Sequence, residues 1–155
     1  MLTDEVTRSM DESVLCWLAT VSEGGIPNVS PKEMFMHHEE NKMLIANIAS
    51  PQSAKNVTSN PNVCVSFVHI FKQKGFKLIG KARIIEHSSP EYQKLEDKLY
   101  TLGGREFNFK SIFEVSVDSF SPILAPSYLL FPQTTENDQI EQAKKTYGIQ
   151  RKSGT

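Results

Sequence analysis

The chain has 155 residues, of which 39% are apolar and 23% are charged, and its formal net charge is −1. This composition is typical of one globular domain with a substantial core. A net charge near zero excludes a general attraction to nucleic acid or to anionic membranes. No apolar run approaches the roughly 20 residues that span a bilayer, and the first residues lack the pattern of a signal peptide. We therefore expect a cytoplasmic protein.

Two residue types that often bind metals give no metal site in this sequence. Cys16 and Cys64 each lie within an apolar run, so both thiols are expected in the core of a protein from a reducing compartment. A zinc site needs more ligands at closer spacing. The adjacent His37 and His38 would point to opposite faces of a strand, and a solvated turn is the expected structure there.

Apolar spacing and turn residues predict the elements in chain order. A short helix begins behind Thr3, because Leu2, Val6 and Met10 recur four residues apart. The predicted strands cover residues 14–21, 27–36, 43–48, 63–68, 76–85 and 112–117. Helices are predicted over residues 51–59, from the Ser89-Pro90 start to the glycines at 103–104, and over residues 138–147.

About six strands joined mostly by tight turns predict antiparallel pairing, with the helices set aside at the connections. We therefore expect a mainly β fold with peripheral helices, as a β-barrel or an α+β sheet. Residues 1–132 are expected to form the domain. Residues 133–155 are a polar C-terminal extension, for which a helix and then a frayed tail are predicted.

The end of the strand at 43–48 leads into a helix start that suits an anion. Ser50 is a favourable N-cap, and Pro51 fits the first helical position. The free amides of the first turn, the side chains of Gln52 and Ser53, and the ammonium of Lys55 could together hold a negative group. An ordinary capped surface helix has the same pattern, and the segment alone does not separate the two interpretations.

The strand after the Gly24-Gly25 turn contains Ser30-Pro31-Lys32. Pro31 cannot donate a ladder hydrogen bond, so the strand is expected to be irregular or to lie at a sheet edge. A freed backbone between a hydroxyl and an ammonium could line a pocket. A plain edge-strand proline that limits aggregation explains the residue equally well.

The order of these segments is informative. Five segments carry a resemblance to a known family, namely residues 18–21, 24–32, 50–56, 60–63 and 80–82. In their order along the chain, they resemble the pyridoxamine 5′-phosphate oxidase-related, FMN-binding split-barrel family. The resemblance covers about residues 10–125. It implies an antiparallel split β-barrel that forms a homodimer, with FMN in the groove between the subunits. Residues 80–82 would lie in a strand that helps to build the dimer.

The resemblance also implies roles for individual residues. Ser30, Pro31 and Lys32 would border the isoalloxazine ring, Ala46 and Asn47 would lie near the ring or the ribityl chain, and Ser50, Gln52 and Ser53 would bind the phosphate. A cation at Lys32 would stabilise reduced flavin, although a solvated strand lysine is the alternative. Tyr128 or Phe131 could lie over the flavin of the partner chain.

Two departures from the family pattern limit what is implied. Many members have a lysine or arginine at the positions of Gln52 and Ser53, and here Lys55 would substitute from the next turn; a charge-assisted contact is roughly twice as strong as a neutral one. The arginine-rich C-terminal substrate segment of the true oxidases has no counterpart in residues 133–155, so vitamin B6 synthesis is not predicted.

The predicted function is that of an FMN-dependent oxidoreductase. It would pass hydride or electrons between a reduced nicotinamide, or another donor, and a small acceptor, and no catalytic residue is assigned. The alternatives are a flavin-binding or electron-relay module without a substrate of its own, and a barrel that takes haem or a deazaflavin.

Overall fold

The structure of the protein, a computed structural model, describes residues 1–149. The tail expected at residues 151–155 lies outside the described residues. The helices of the described part are α1 (Asp4–Asp11), α2 (Pro51–Ser59), α3 (Tyr92–Gly103), α4 (Pro126–Leu130) and α5 (Glu136–Thr146). Its strands are β1 (Cys16–Val21), β2 (Pro27–Lys32), β3 (Phe35–His38), β4 (Lys42–Asn47), β5 (Asn62–His69), β6 (Lys74–Ile85) and β7 (Ser111–Leu124).

The strands form one antiparallel sheet in the order β2-β1-β5-β6-β7-β4-β3. β2 and β3 are its opposite edges, yet only Glu33 and Met34 connect them. An extended chain advances at most about 3.6 Å per residue, so the two edges come within roughly 11 Å of each other at this connection. The sheet is therefore curled on itself and remains split between β2 and β3, which confirms the predicted antiparallel split barrel.

Apolar residues pack on both faces of the sheet. α1 covers the inner face with Val6 and Met10, and it begins where the Thr3 hydroxyl accepts the Val6 N–H at 3.4 Å. Successive residues of β4 point to opposite faces, so Ile45 joins this inner cluster and Leu44 packs outside with α3. Both faces of β4 are therefore covered, which fixes the direction of the strand that leads into α2.

The segment predicted as one strand over residues 27–36 is two strands. β2 pairs only with β1, as the proline at position 31 predicted for an edge strand, and the chain then crosses the split to begin β3. The prediction of a solvated turn at His37 and His38 is wrong, because both residues belong to β3 and are half-buried. The turn follows at Glu39, whose φ is 53°.

Three further predictions need correction. β7 continues past Val117 to Leu124, because its second half pairs with the first half of the long β6. α3 has Glu91 as its N-cap, since the carbonyl of Ser89 is held in a preceding turn by the Tyr92 N–H at 3.0 Å. Cys16 is buried as expected, but Cys64 is only half-buried, because the alternation of β5 turns it to the outer face.

The helix predicted at residues 138–147 is α5, which packs against the end of the barrel. Gln139 is buried and accepts a hydrogen bond from the Ser127 hydroxyl at 2.7 Å. Glu136 forms an ion pair with Lys74 at 3.1 Å. None of the helices within residues 1–149 is long and apolar enough to cross a bilayer.

Candidate functional site

A cavity of about 330 Å³ opens where the barrel is split. The end of β2, the crossing to β3, the end of β4 and the start of α2 all contribute to its wall. Its lining residues are Leu15, Ser30, Pro31, Lys32, Glu33, Met34, Ala46, Ile48, Ala49 and Ser50. A hydrogen bond from the Ala46 N–H to the Met34 carbonyl at 2.9 Å joins two of these segments. The cavity therefore exists because β2 and β4 belong to opposite halves of the curled sheet.

Lys32 is the buried cation of this cavity. The residue is only 6% exposed, and its ammonium donates to the Ser50 hydroxyl and lies 5.6 Å from the centre of the Phe113 ring. No ion pair within residues 1–149 includes Lys32. Burial lowers the pKa of the Lys32 ammonium, with a smaller opposing effect from Cys16. A buried ammonium without a carboxylate suits an anionic or electron-rich ligand.

The start of α2 differs from the predicted N-cap. Pro51 is at the beginning of the helix as expected, but the Ser50 hydroxyl makes no capping bond and accepts from the Lys32 ammonium. The Ser50 N–H is held by the Asn47 side-chain oxygen at 3.2 Å, and the Asn47 amide donates to Ser111 at 2.9 Å. Asn47 thus positions the helix start from behind the cavity, and no side chain within residues 1–149 caps the first-turn amides.

A neutral hydrogen-bond network supports the other side of α2. The Ser53 hydroxyl lies 2.9 Å from the Ser30 hydroxyl and 3.3 Å from the Asn28 amide nitrogen, and Ser53 is 1% exposed. The Asn56 amide donates to the Thr20 hydroxyl at 3.0 Å. The Gln52 amide donates to the Asn56 oxygen at 2.8 Å. These side chains fix α2 against β1 and β2. They are neutral, and their polar groups form hydrogen bonds with one another.

The residues predicted from the sequence fall into two groups. Five line the cavity, namely Ser30, Pro31, Lys32, Ala46 and Ser50. The other four, Asn47, Gln52, Ser53 and Lys55, lie behind the cavity or along α2, and of these only Gln52 and Lys55 are exposed. Sequence reasoning missed the supporting role of Thr20, Asn28 and Asn56. The alternation of Asn28, Ser30 and Lys32 on one face of β2 was the signal that could have revealed it.

Two aromatic residues named from the sequence have different environments. The Tyr128 hydroxyl donates to the Lys72 carbonyl of its own chain at 2.7 Å, and the Lys74 ammonium lies 4.4 Å from the centre of its ring. Phe131 is 59% exposed after the end of α4. Phe131 is therefore exposed, whereas Tyr128 is half-buried and held by its own chain. Within residues 1–149, no three His, Cys, Asp or Glu side chains form a metal-binding group.

The fold and the cavity define a split-barrel protein with one buried lysine beside a helix start at the split. The chain belongs to the pyridoxamine 5′-phosphate oxidase family, whose model matches residues 2–123. A comparison with curated proteins found no match.

Solved structures are similar over most of the chain. HupZ of Group A Streptococcus has a TM-score of 0.67 at 20% identity, covering 81% of this chain and 99% of that one. An FMN-binding protein of Syntrophomonas wolfei has a TM-score of 0.66 at 11% identity, covering 78% and 86%. An F420 reductase has a TM-score of 0.59 at 17% identity, covering 77% and 98%. At these identities the similarity establishes the fold alone.

Proposed function

We propose that the protein binds FMN in the cavity at the barrel split and uses it as a redox centre. The observation that supports this most is the buried ammonium of Lys32, which donates to a hydroxyl, faces an aromatic ring and has no carboxylate partner within residues 1–149. The cavity volume of about 330 Å³ lies within the range of small-molecule sites, roughly 300–1,000 Å³. A flavin ring offers electron-rich edges to the ammonium and apolar faces to Met34 and Ala46.

The phosphate would bind at the start of α2. There no side chain in the described part of the chain caps the amides of the first turn, and the helix dipole favours negative charge. Ser50 lies at this point, and the exposed Lys55 is one turn further along. The side chains of Gln52 and Ser53 would support the helix through their network with Asn56 and Ser30 and would not contact the phosphate directly.

When bound, FMN would supply hydride or single-electron transfer. The chain's own residues set the surroundings of the ring. Lys32 places a positive charge at the cavity. Because the site is partly shielded from water, this ammonium would strongly stabilise negative charge on the flavin ring. Met34 and Ala46 are buried and limit the access of water. The titratable side chains that line the cavity are Lys32 and Glu33, and no acid–base role is assigned to either.

The site would be completed by a second copy of the chain. The outer face of β1, β2 and β6 exposes an apolar surface, with Trp17 45%, Val29 57% and Ile79 43% exposed. Trp17 pairs with Pro31 in the β1–β2 register, so this face reaches the rim of the cavity. Large exposed apolar patches mark interaction sites, and we assign this one to a homodimer. The two free cysteines suit a cytoplasmic location.

The absorption spectrum of the purified protein tests the cofactor. We expect the two-banded spectrum of oxidised flavin, or its recovery after FMN is added to colourless protein. A haem or deazaflavin spectrum, with no binding of added FMN, would contradict the proposal. Turnover of NADH or NADPH with an acceptor would distinguish an oxidoreductase from an electron-relay module.

A gain-of-function variant tests the position of the phosphate. Gln52 is exposed in the first turn of α2, so Gln52→Lys adds a cation close to the proposed phosphate. We expect FMN to bind roughly three- to tenfold more tightly, with little change for riboflavin, because only FMN has the phosphate. Equal gains for both ligands would place the phosphate elsewhere.

A further inference from the structure

The start of α2 itself supplies little positive charge for a phosphate. The side chains of Gln52 and Ser53 are neutral and belong to the hydrogen-bond network described above. The Lys32 ammonium donates to the Ser50 hydroxyl and is assigned to the ring, and the exposed Lys55 lies one turn further along. A phosphate monoester has a charge of about −1.5 to −2 near pH 7. A single exposed lysine on α2 therefore balances this charge only in part.

A second lysine is held beside this helix start by the backbone. Lys110 directly precedes β7, and its N–H donates to the Asn47 carbonyl at 2.8 Å. The side-chain oxygen of the same asparagine accepts the Ser50 N–H at 3.2 Å. Asn47 therefore bonds both to Lys110 and to the residue that precedes α2. These two hydrogen bonds bring the backbone of Lys110 next to the proposed phosphate position, although 60 residues of sequence separate Ser50 from Lys110.

The two neighbours of Lys110 are buried, whereas Lys110 itself is exposed. Phe109 is 3% exposed and Ser111 is 4% exposed, and the Ser111 hydroxyl accepts a hydrogen bond from the Asn47 amide at 2.9 Å. The backbone is thus anchored on both sides of the lysine. No carboxylate of residues 1–149 forms an ion pair with Lys110. Its ammonium, on a flexible four-carbon stem, can therefore turn toward an anion at the start of α2.

We propose that Lys110 supplies the second cation for the cofactor phosphate, in place of a basic residue in the first turn of α2. This assignment rests on the proposed function, because the anion is the phosphate of bound FMN. Lys110 approaches the phosphate from β7 and Lys55 approaches it from α2. The formal net charge of the chain is −1, so the attraction has to come from such local cations. Lys110 thereby makes the site selective for the phosphorylated flavin over riboflavin.

Lys110→Met tests the assignment, because it removes the charge and keeps most of the apolar stem. We expect FMN to bind roughly three- to tenfold more weakly, and riboflavin to bind as it does to the wild type, in fluorescence titrations at low salt. The loss for FMN should become smaller at high salt, since screening weakens exposed charge pairs. An unchanged affinity for FMN, or an equal loss for both flavins, would overturn the assignment.

Lys145→Met is the matched control. Lys145 is exposed on α5, whose Glu136 pairs with Lys74. Lys74 lies opposite Leu124, the last residue of β7, whereas Lys110 precedes the first. Lys145→Met removes the same charge at the far end of the strand, so both flavins should bind as they do to the wild type. A similar loss of FMN affinity in both variants would show an effect of overall charge and would overturn the assignment.

Two further variants separate charge from structure. Lys110→Arg keeps the charge and should bind FMN within about twofold of the wild type. Adding Gln52→Lys to Lys110→Met should restore FMN affinity, because a cation in the first turn of α2 replaces the lost one. A double variant as weak as Lys110→Met would place Lys110 away from the phosphate. FMN binding that Lys110→Met does not weaken would overturn this inference alone, whereas a wild type that binds no FMN would overturn the proposed function and this inference with it.

Discussion

Replacing Lys32 with methionine should change stability and cofactor binding in opposite directions. Lys32 is 6% exposed, and within residues 1–149 its ammonium contacts the Ser50 hydroxyl and the Phe113 ring but no carboxylate. Removing a buried charge in favour of an apolar side chain of similar volume is often stabilising, by about 1–4 kcal/mol. The lost hydrogen bond offsets part of this gain, so we expect the flavin-free Lys32→Met variant to be about 1–2 kcal/mol more stable. For a chain of this length the melting temperature would rise by about 3–6 °C.

FMN binding should weaken in the same variant. A hydrogen bond from a charged group contributes about 1.5–3 kcal/mol, and each 1.4 kcal/mol corresponds to a factor of about ten in the dissociation constant. We therefore expect FMN to bind roughly 10- to 100-fold more weakly. Thermal unfolding of the flavin-free protein and fluorescence titration with FMN measure the two effects separately.

Lys55→Met is the matched control. Lys55 is exposed in α2, so the stability of this variant should stay within about 0.5 kcal/mol of wild type. Its FMN affinity should fall only slightly, and less at high salt. A loss of stability in Lys32→Met would show that the ammonium is already neutralised in the flavin-free protein. Unchanged FMN affinity would place the cofactor away from Lys32.

Three other changes probe the same structure. Ser53→Ala should lower the free energy of unfolding, measured in urea, by about 1–2 kcal/mol, because it leaves the Ser30 hydroxyl without its partner. FMN affinity should change less than about twofold. A large loss of affinity would indicate that Ser53 contacts the cofactor directly. Burial lowers the pKa of Lys32 from 10.5, so FMN affinity should begin to fall at a lower pH than expected for a solvated lysine, and Lys32→Met should lack this early fall. The flavin-free protein should gain stability over the same pH interval, since the folded state binds this proton less tightly than the unfolded chain does. Gly80→Ala should destabilise the barrel by about 2 kcal/mol or more, because its Cβ would collide with the Ser116 carbonyl, whereas Gly24→Ala, with its nearest neighbouring atom 3.9 Å away, should melt like wild type.

The antiparallel, mainly β architecture could be predicted from local signals in the sequence, and the resemblance to a known family then implied the split barrel. The proline at position 51 and the double glycine ending at position 104 define helix ends, and alternating apolar residues define most of the strands. The proline at position 31 placed its strand at an edge, which the pairing of β2 confirms. Each of these signals acts within a few residues, so no tertiary contact was needed to read it.

The interior of the site could be predicted only in part, because it depends on contacts between distant segments. The period of two along β2 groups Asn28, Ser30 and Lys32 on one face, but it does not show that the face turns inward beside α2. A serine before a proline predicts a helix cap, and here the Ser50 hydroxyl is taken by a lysine 18 positions earlier.

The sequence by itself determined the antiparallel strands, the edge proline and the helix start at α2, since propensities and turn chemistry are local. The tertiary structure alone decided that Lys32 is buried without a carboxylate. It also decided that Ser53 bonds to Ser30. These outcomes follow from the curling of the sheet, which brings β2 to the far edge beside β4 and α2. The burial of a side chain and its polar partners depend on segments that are distant in sequence, so they cannot be deduced from any one segment.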